Sequence, residues 1–129
     1  MDKIKWFVKE ARLRIKYMVS KDCIFCKIVN GEMGTKFLAR RGKTVAFADI
    51  NPVASVHILI VPKKHIESAE AVGIADGADL ADMFSVAAKI VREKGIDAYR
   101  LTFNGGRYQH VPHLHMHLLS GKKIEWEKL

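Results

Sequence analysis

The sequence predicts an α+β fold: one sheet of about five mainly antiparallel strands, with one long helix and an extra helix ahead of them at the N-terminus. Three observations carry that prediction. From His113 to Leu118 imidazole and apolar residues alternate at every step, and this is the period of a strand. Between residues 78 and 94, Leu80, Met83, Phe84, Ala87, Ala88 and Val91 recur at helical spacing. Around these runs lie short β-rich stretches bounded by Gly42, by Asn51-Pro52 and by Pro62, which are turn and breaker residues. A long helix between the third and fourth strands, with hairpin-type strands elsewhere, is the pattern of the α+β class.

Taken in order, residues 1–21 read as a basic amphipathic helix, separate from a domain over 22–129. Its apolar positions are Ile4, Phe7, Val8, Ala11, Ile15 and Met18, with Lys5, Lys9, Arg12, Arg14 and Lys16 over the rest. Such a stripe packs on the body or on a second subunit, or meets an anionic surface. Asp2, Glu10 and the scarcity of serine argue against a mitochondrial presequence. Cys23-Ile-Phe-Cys26 then leads into a short helix that Asn30-Gly31 ends. Strands over 36–40 and 44–49 form a hairpin about Gly42. Val56 to Val61 is apolar on both faces apart from His57, so it is central in the sheet. The helix over 78–94 is capped by Gly95. Strands over 99–103 and 111–119 follow, joined by a loop that starts at Asn104-Gly105-Gly106.

At 129 residues the chain is one domain of ordinary globular composition, 49% apolar and 28% charged. No apolar run reaches 18 residues, which argues against a membrane span, and an apolar signal core is lacking. The net charge is +8, from 22 basic and 14 acidic residues. Residues 1–21 hold seven Lys/Arg against two acids and so supply +5, while the rest hold 15 against 12 and supply +3. The excess favours anionic partners but does not by itself make a nucleic-acid binder. Two cysteines three apart cannot form a disulfide framework, which points to a reducing, cytoplasmic setting. The Cys-x-x-Cys motif alone leaves redox, metal and simple burial open.

His113, His115 and His117 share one face of their strand, and each imidazole needs a partner once desolvated. Two chemistries use such a face. Neutral imidazole is a metal ligand, and it is also a nucleophile and proton carrier near neutral pH. His57 alone would more often be a hydrogen-bonded core residue, but beside the triad strand it becomes a candidate fourth imidazole.

Gln109-His-Val-Pro-His113-Leu-His115-Met-His117-Leu-Leu119 resembles the signature of the histidine triad (HIT) superfamily. Supporting stretches are Cys23-Ile-Phe-Cys-Lys-Ile28, Ala46-Phe-Ala-Asp-Ile-Asn-Pro52, His57-Ile-Leu-Ile-Val-Pro-Lys-Lys-His-Ile66 and Asn104-Gly-Gly106, so the resemblance spans about residues 22–126. The branch it looks most like is the nucleoside phosphoramidases, also called protein kinase C inhibitor homologues. The resemblance implies a HIT-like fold, a homodimer and no organic cofactor. It also implies a hydrolase that cleaves purine nucleoside 5′-phosphoramidates or related conjugates through a covalent nucleotidyl-histidine, releasing a nucleoside monophosphate.

Carried over by residue, the resemblance makes His115 the nucleophile on the α-phosphorus. His117 contacts the phosphate and helps protonate the leaving group, His57 and Gln109 complete the phosphate pocket, and Asn104 positions the site. Asp49 matches the residue that accepts from the ribose hydroxyls, while Ile24, Phe25, Ile28, Phe47 and Leu59 match the base pocket. In some relatives a Cys-x-x-Cys pair and two histidines hold zinc; here those residues are Cys23, Cys26, His65 and His113, a closed structural set.

The chain departs from the family pattern at three places, of which the first and last bear on the leaving-group side, while a proline at the start of a strand is tolerated. His110 stands where the family has Ser or Thr, Pro112 precedes the triad, and the loop from Asn104 to Gln109 is about two residues shorter than in the phosphoramidases. The rival readings are a dinucleoside polyphosphate hydrolase working through the same His115, and a nucleotide-binding regulatory protein with weak catalysis. Processing of adenylated nucleic-acid ends rests on positive charge alone.

Overall fold

The computed structural model describes residues 22–129, so the N-terminal basic helix read from the sequence lies outside the described residues. The elements are α1 (Ile24–Val29), β1 (Ala39–Arg41), β2 (Thr44–Ala48), β3 (Val56–Pro62), α2 (Gly77–Glu93), β4 (Arg100–Thr102) and β5 (Met116–Ser120), with four short 3-10 turns between and after them. The five strands form one sheet in the order β1-β2-β3-β5-β4, and every neighbouring pair is antiparallel. The α+β class and the five-stranded sheet expected from the sequence are therefore present.

Alternation along the strands separates two apolar layers. Ala46 of β2, Ile58 and Ile60 of β3, and Met116 and Leu118 of β5 face α2 and join Met83, Val86, Ala87 and Ile90 in one buried cluster. Val45, Phe47, Leu59 and Val61 point the other way and pack with Cys23, Phe25, Cys26 and Val29 of the α1 segment. The second layer is thin, because α1 has only six residues. A cleft therefore opens on that side.

α2 spans almost the predicted range, but its buried stripe is rotated. Asp79, Met83, Val86, Ala87 and Ile90 are buried, whereas Phe84 is 49% exposed and Ala88 is also exposed. The observed set still recurs at three and four residues. Its C-terminus closes as a Schellman motif: Gly95 takes φ +64°, Ile96 N–H donates to the Val91 carbonyl at 3.0 Å, and Gly95 N–H donates to Arg92 at 3.2 Å. At the other end Lys64 bridges Asp76 and the buried Asp79, tying the segment after β3 to the first turn of α2.

Three strands differ from their predicted ranges. β1 covers only Ala39–Arg41 and β4 only Arg100–Thr102; both are edge strands, where one missing partner ends pairing early. β5 begins at Met116, not at Val111. The register pairs Ile60 with Met116, so Leu114 would stand opposite Pro62, which has no N–H to give. Leu114 N–H instead donates to the Ile66 carbonyl at 2.7 Å, and His113 N–H turns back to Val111 at 2.8 Å. Only His117 of the triad sits in the ladder. His113 and His115 lie on the bent approach to it.

Candidate active site

The bend redistributes the three histidines between two sites. His115 and His117 turn toward the cleft, while His113, fully buried, turns toward Cys23, Cys26 and His65. The cleft is about 670 Å³ and is lined by α1, the end of β2, β3, the Asn104–Val111 loop and the last two residues of the chain. Of the residues singled out from the sequence, Ile24, Phe25, Ile28, Phe47, Asp49, His57, Leu59, Asn104, His110, His115 and His117 all line it. Gln109 does not. Its Nε2 donates to the carbonyls of Glu67 at 2.8 Å and Val111 at 2.9 Å, so that amide braces the loop. Met33, Thr35, Lys36, Lys128 and Leu129 also line the cleft and were not anticipated, because nothing local in the sequence says that the 30–38 loop and the C-terminal turn converge there.

Hydrogen bonds assign the imidazole tautomers. Val53 N–H donates to His57 Nδ1 at 3.1 Å, so in neutral His57 the proton is on Nε2. That Nε2–H lies 2.8 Å from His117 Nδ1 and 3.3 Å from Asp49 Oδ2, and the shorter contact is the hydrogen bond. His117 Nδ1 therefore accepts, and its own proton sits on Nε2, a buried atom with no hydrogen-bond partner among the described residues. His115 has the opposite tautomer: Nδ1–H donates to the His113 carbonyl at 2.7 Å, leaving Nε2 with its lone pair. Side by side stand one imidazole nitrogen able to attack and one N–H able to donate to an oxyanion. Phe25 stands edge-on to the His115 ring, with centroids 5.0 Å apart, and holds its plane.

Burial keeps these rings neutral. It pushes His117 down to about 3, with the charges of His115, His57 and His110 adding to the effect. It also lowers His57, against the pull of Asp49, and lowers His115, against the His113 carbonyl and Asp49. Asp49 additionally caps its own turn by accepting from Asn51 N–H at 2.8 Å. Asp49, His57 and His117 come close enough together to hold a cation, but the Val53 bond forces a proton onto the His57 nitrogen that would have to bind it. A hydrogen-bonded chain that fixes the His117 tautomer accounts for that grouping.

The second site has the opposite character. His113 Nε2–H donates to the Pro62 carbonyl at 2.9 Å, which turns the Nδ1 lone pair toward Cys23 Sγ at 3.2 Å, Cys26 Sγ at 3.6 Å and His65 Nδ1 at 3.1 Å. All four ligand atoms lie within 4.8 Å of one another. One lone pair cannot accept from three neighbours. Zinc bonds of about 2.0–2.3 Å at tetrahedral angles imply ligand separations of roughly 3.3–3.8 Å, close to those seen. The donor set thus fits a tetrahedral cation, and the Pro62 contact supplies the outer hydrogen bond that orients a ligating imidazole. Burial also lowers His113 to about 4, so its nitrogen is available well below neutrality.

The family profile described as "Scavenger mRNA decapping enzyme C-term binding" matches residues 22–128. A histidine triad protein of Clostridium difficile has the same fold at TM-score 0.78 and 42% identity, over 83% of this chain and 96% of that one. The chain belongs to the histidine triad family. Among HIT relatives, a HIT family hydrolase of Legionella pneumophila superposes at TM-score 0.76 with 38% identity, covering 81% of this chain and 97% of its own. The purine nucleoside phosphoramidase of Escherichia coli K12 is 38% identical over 110 residues, 82% of this chain and 92% of that protein. These HIT relatives support a hydrolase role in general terms. No helix among the described residues is long and apolar enough to cross a membrane.

Proposed function

We propose that this HIT protein hydrolyses purine nucleoside 5′-phosphoramidates, or closely related nucleotidyl conjugates, through a nucleotidyl-His115 intermediate. The observation that carries the reading is the pairing of opposite tautomers in one cleft, a bare Nε2 on His115 beside an Nε2–H on His117 that has no partner among the described residues. The purine stacks among Ile24, Phe25, Ile28, Phe47 and Leu59, and Asp49 accepts from the ribose hydroxyls. His115 Nε2 attacks phosphorus while His117 Nε2–H donates to a non-bridging oxygen, an interaction that strengthens as charge gathers there. As phosphorus bonds to His115, positive charge builds on its ring, and the His113 carbonyl at Nδ1–H stabilises it. Water then releases the nucleoside monophosphate. The His57–His117 bond holds the donor in the required tautomer throughout, and Gln109 acts at one remove by bracing the loop.

The reading includes a zinc ion held by Cys23, Cys26, His65 and His113. When bound, it would supply a fixed tetrahedral tie and no open coordination position for substrate. It also includes a homodimer in a reducing cytoplasm. The support is an edge strand, β4, flanked by half-exposed Tyr99 and Trp126, and two cysteines that are thiols. The E. coli relative named for phosphoramidase activity agrees with the substrate class. Turnover of adenosine 5′-phosphoramidate against diadenosine tetraphosphate, in wild type and in His115→Asn, tests the reading. Preference for the amidate and loss of at least a thousandfold in the variant are expected; preference for the dinucleotide, or an active variant, contradicts it.

A further inference from the structure

Under the proposed phosphoramidate reading, an amine must leave, and a departing nitrogen needs a proton. Four imidazoles line the cleft. Three of them, His57, His115 and His117, are buried and their nitrogens are committed: His57 to Val53 and His117, His115 to the His113 carbonyl and to attack, His117 to His57 with a single N–H left over. A neutral imidazole that gives away its only N–H becomes an imidazolate, which is out of reach near neutral pH. His117 can therefore donate a hydrogen bond without supplying a proton.

His110 differs in every respect. It is exposed, it forms no hydrogen bond among the described residues, and it lies close enough for its charge to bear on both His115 and His117. Its backbone is nevertheless held on both sides. Gln109 is anchored to Glu67 and Val111, and the Val111 carbonyl also receives His113 N–H. The result is an exposed imidazole on a braced loop that lines the cleft.

We propose that His110 is the general acid that protonates the departing nitrogen, and so makes basic alkylamines acceptable leaving groups. As His115 Nε2 bonds to phosphorus, the P–N bond breaks, its electron pair stays on nitrogen, and the His110 imidazolium transfers one proton to it. In the second step neutral His110 takes a proton from water as the oxygen attacks phosphorus, and the P–N bond to His115 returns its pair to Nε2. Both histidines end as they began, and the net change is addition of one water.

The experiment measures kcat/KM of wild type and His110→Ser on two adenosine 5′-conjugates, an N-alkyl phosphoramidate and a 4-nitrophenyl phosphodiester. Nitrophenolate departs without a proton, so this substrate reports on folding, binding and attack by His115. The loss on the alkylamidate should exceed the loss on the nitrophenyl ester by about a hundredfold, within the usual span for general acid catalysis. Equal losses on both, loss on neither, or a wild type that cleaves only the nitrophenyl ester overturns the role of His110. A wild type that cleaves neither overturns the phosphoramidase reading itself, and this proposal with it.

Discussion

At the residue scale the site works by commitment of ring nitrogens. A backbone N–H decides His57, His57 decides His117, and a backbone carbonyl decides His115. The strict alternation made the imidazole face legible in the sequence. The tautomers were not, because they depend on Val53 and on the His113 carbonyl, whose positions exist only once β3 and the bent segment are folded. One consequence is a pH dependence of stability. His57 and His117 are held below the ordinary 6.5, His117 at about 3, so the unfolded chain takes up their protons first. Their contribution is complete above about pH 6.5 and is lost as pH falls from there toward 3. In His57→Phe/His117→Phe, urea midpoints between pH 7 and 4.5 should fall less steeply than in wild type; an unchanged slope would show that these rings are not what the acid limb reports.

At the element scale, α2 shows how far periodicity reaches. Leu80, Met83, Phe84, Ala87, Ala88 and Val91 form a legitimate stripe, yet the buried one runs through Met83, Val86, Ala87 and Ile90. Both stripes satisfy the same spacing, and only docking on Ala46, Ile58 and Met116 selects between them. Ile90→Ala should therefore cost about 2–4 kcal/mol and Phe84→Ala less than about 1 kcal/mol in chemical denaturation. Equal costs would place the helix in the other rotation. The triad segment teaches a related lesson. Reading 111–119 as one strand overlooked that its partner ends at a proline, and the bend that follows sends His113 to one site and His115 to another.

At the scale of the whole molecule, the two sites share one covalent segment. The four-ligand cluster joins the start of α1, the segment after β3 and the triad approach, while α1 and that approach also line the cleft. Cys23, Cys26, His65 and His113 were identifiable from the sequence by their resemblance to zinc-holding relatives, and the fold brings all four together. The purified protein is expected to carry one zinc per chain by elemental analysis. Chelation, or Cys26→Ser, should lower the melting temperature and raise KM for nucleotide more than it lowers kcat, because α1 carries Ile24, Phe25 and Ile28 of the proposed base pocket. A chain without metal and indifferent to chelators would refute this. The cleft rim was less legible: Lys36 and Lys128 reach it from the 30–38 loop and the C-terminal turn, which only the folded chain brings together.

In the proposed reaction His115 Nε2 becomes bonded to phosphorus. Denaturing mass spectrometry after rapid alkaline quench during turnover of an adenosine 5′-phosphoramidate tests it most directly, since a phosphorus–imidazole bond survives alkali. A mass increase of one adenylyl group is expected, mapped to the peptide that holds His115 and absent from His115→Asn. Rapid turnover with no adduct under single-turnover sampling, or an adduct mapped to another residue, would contradict it.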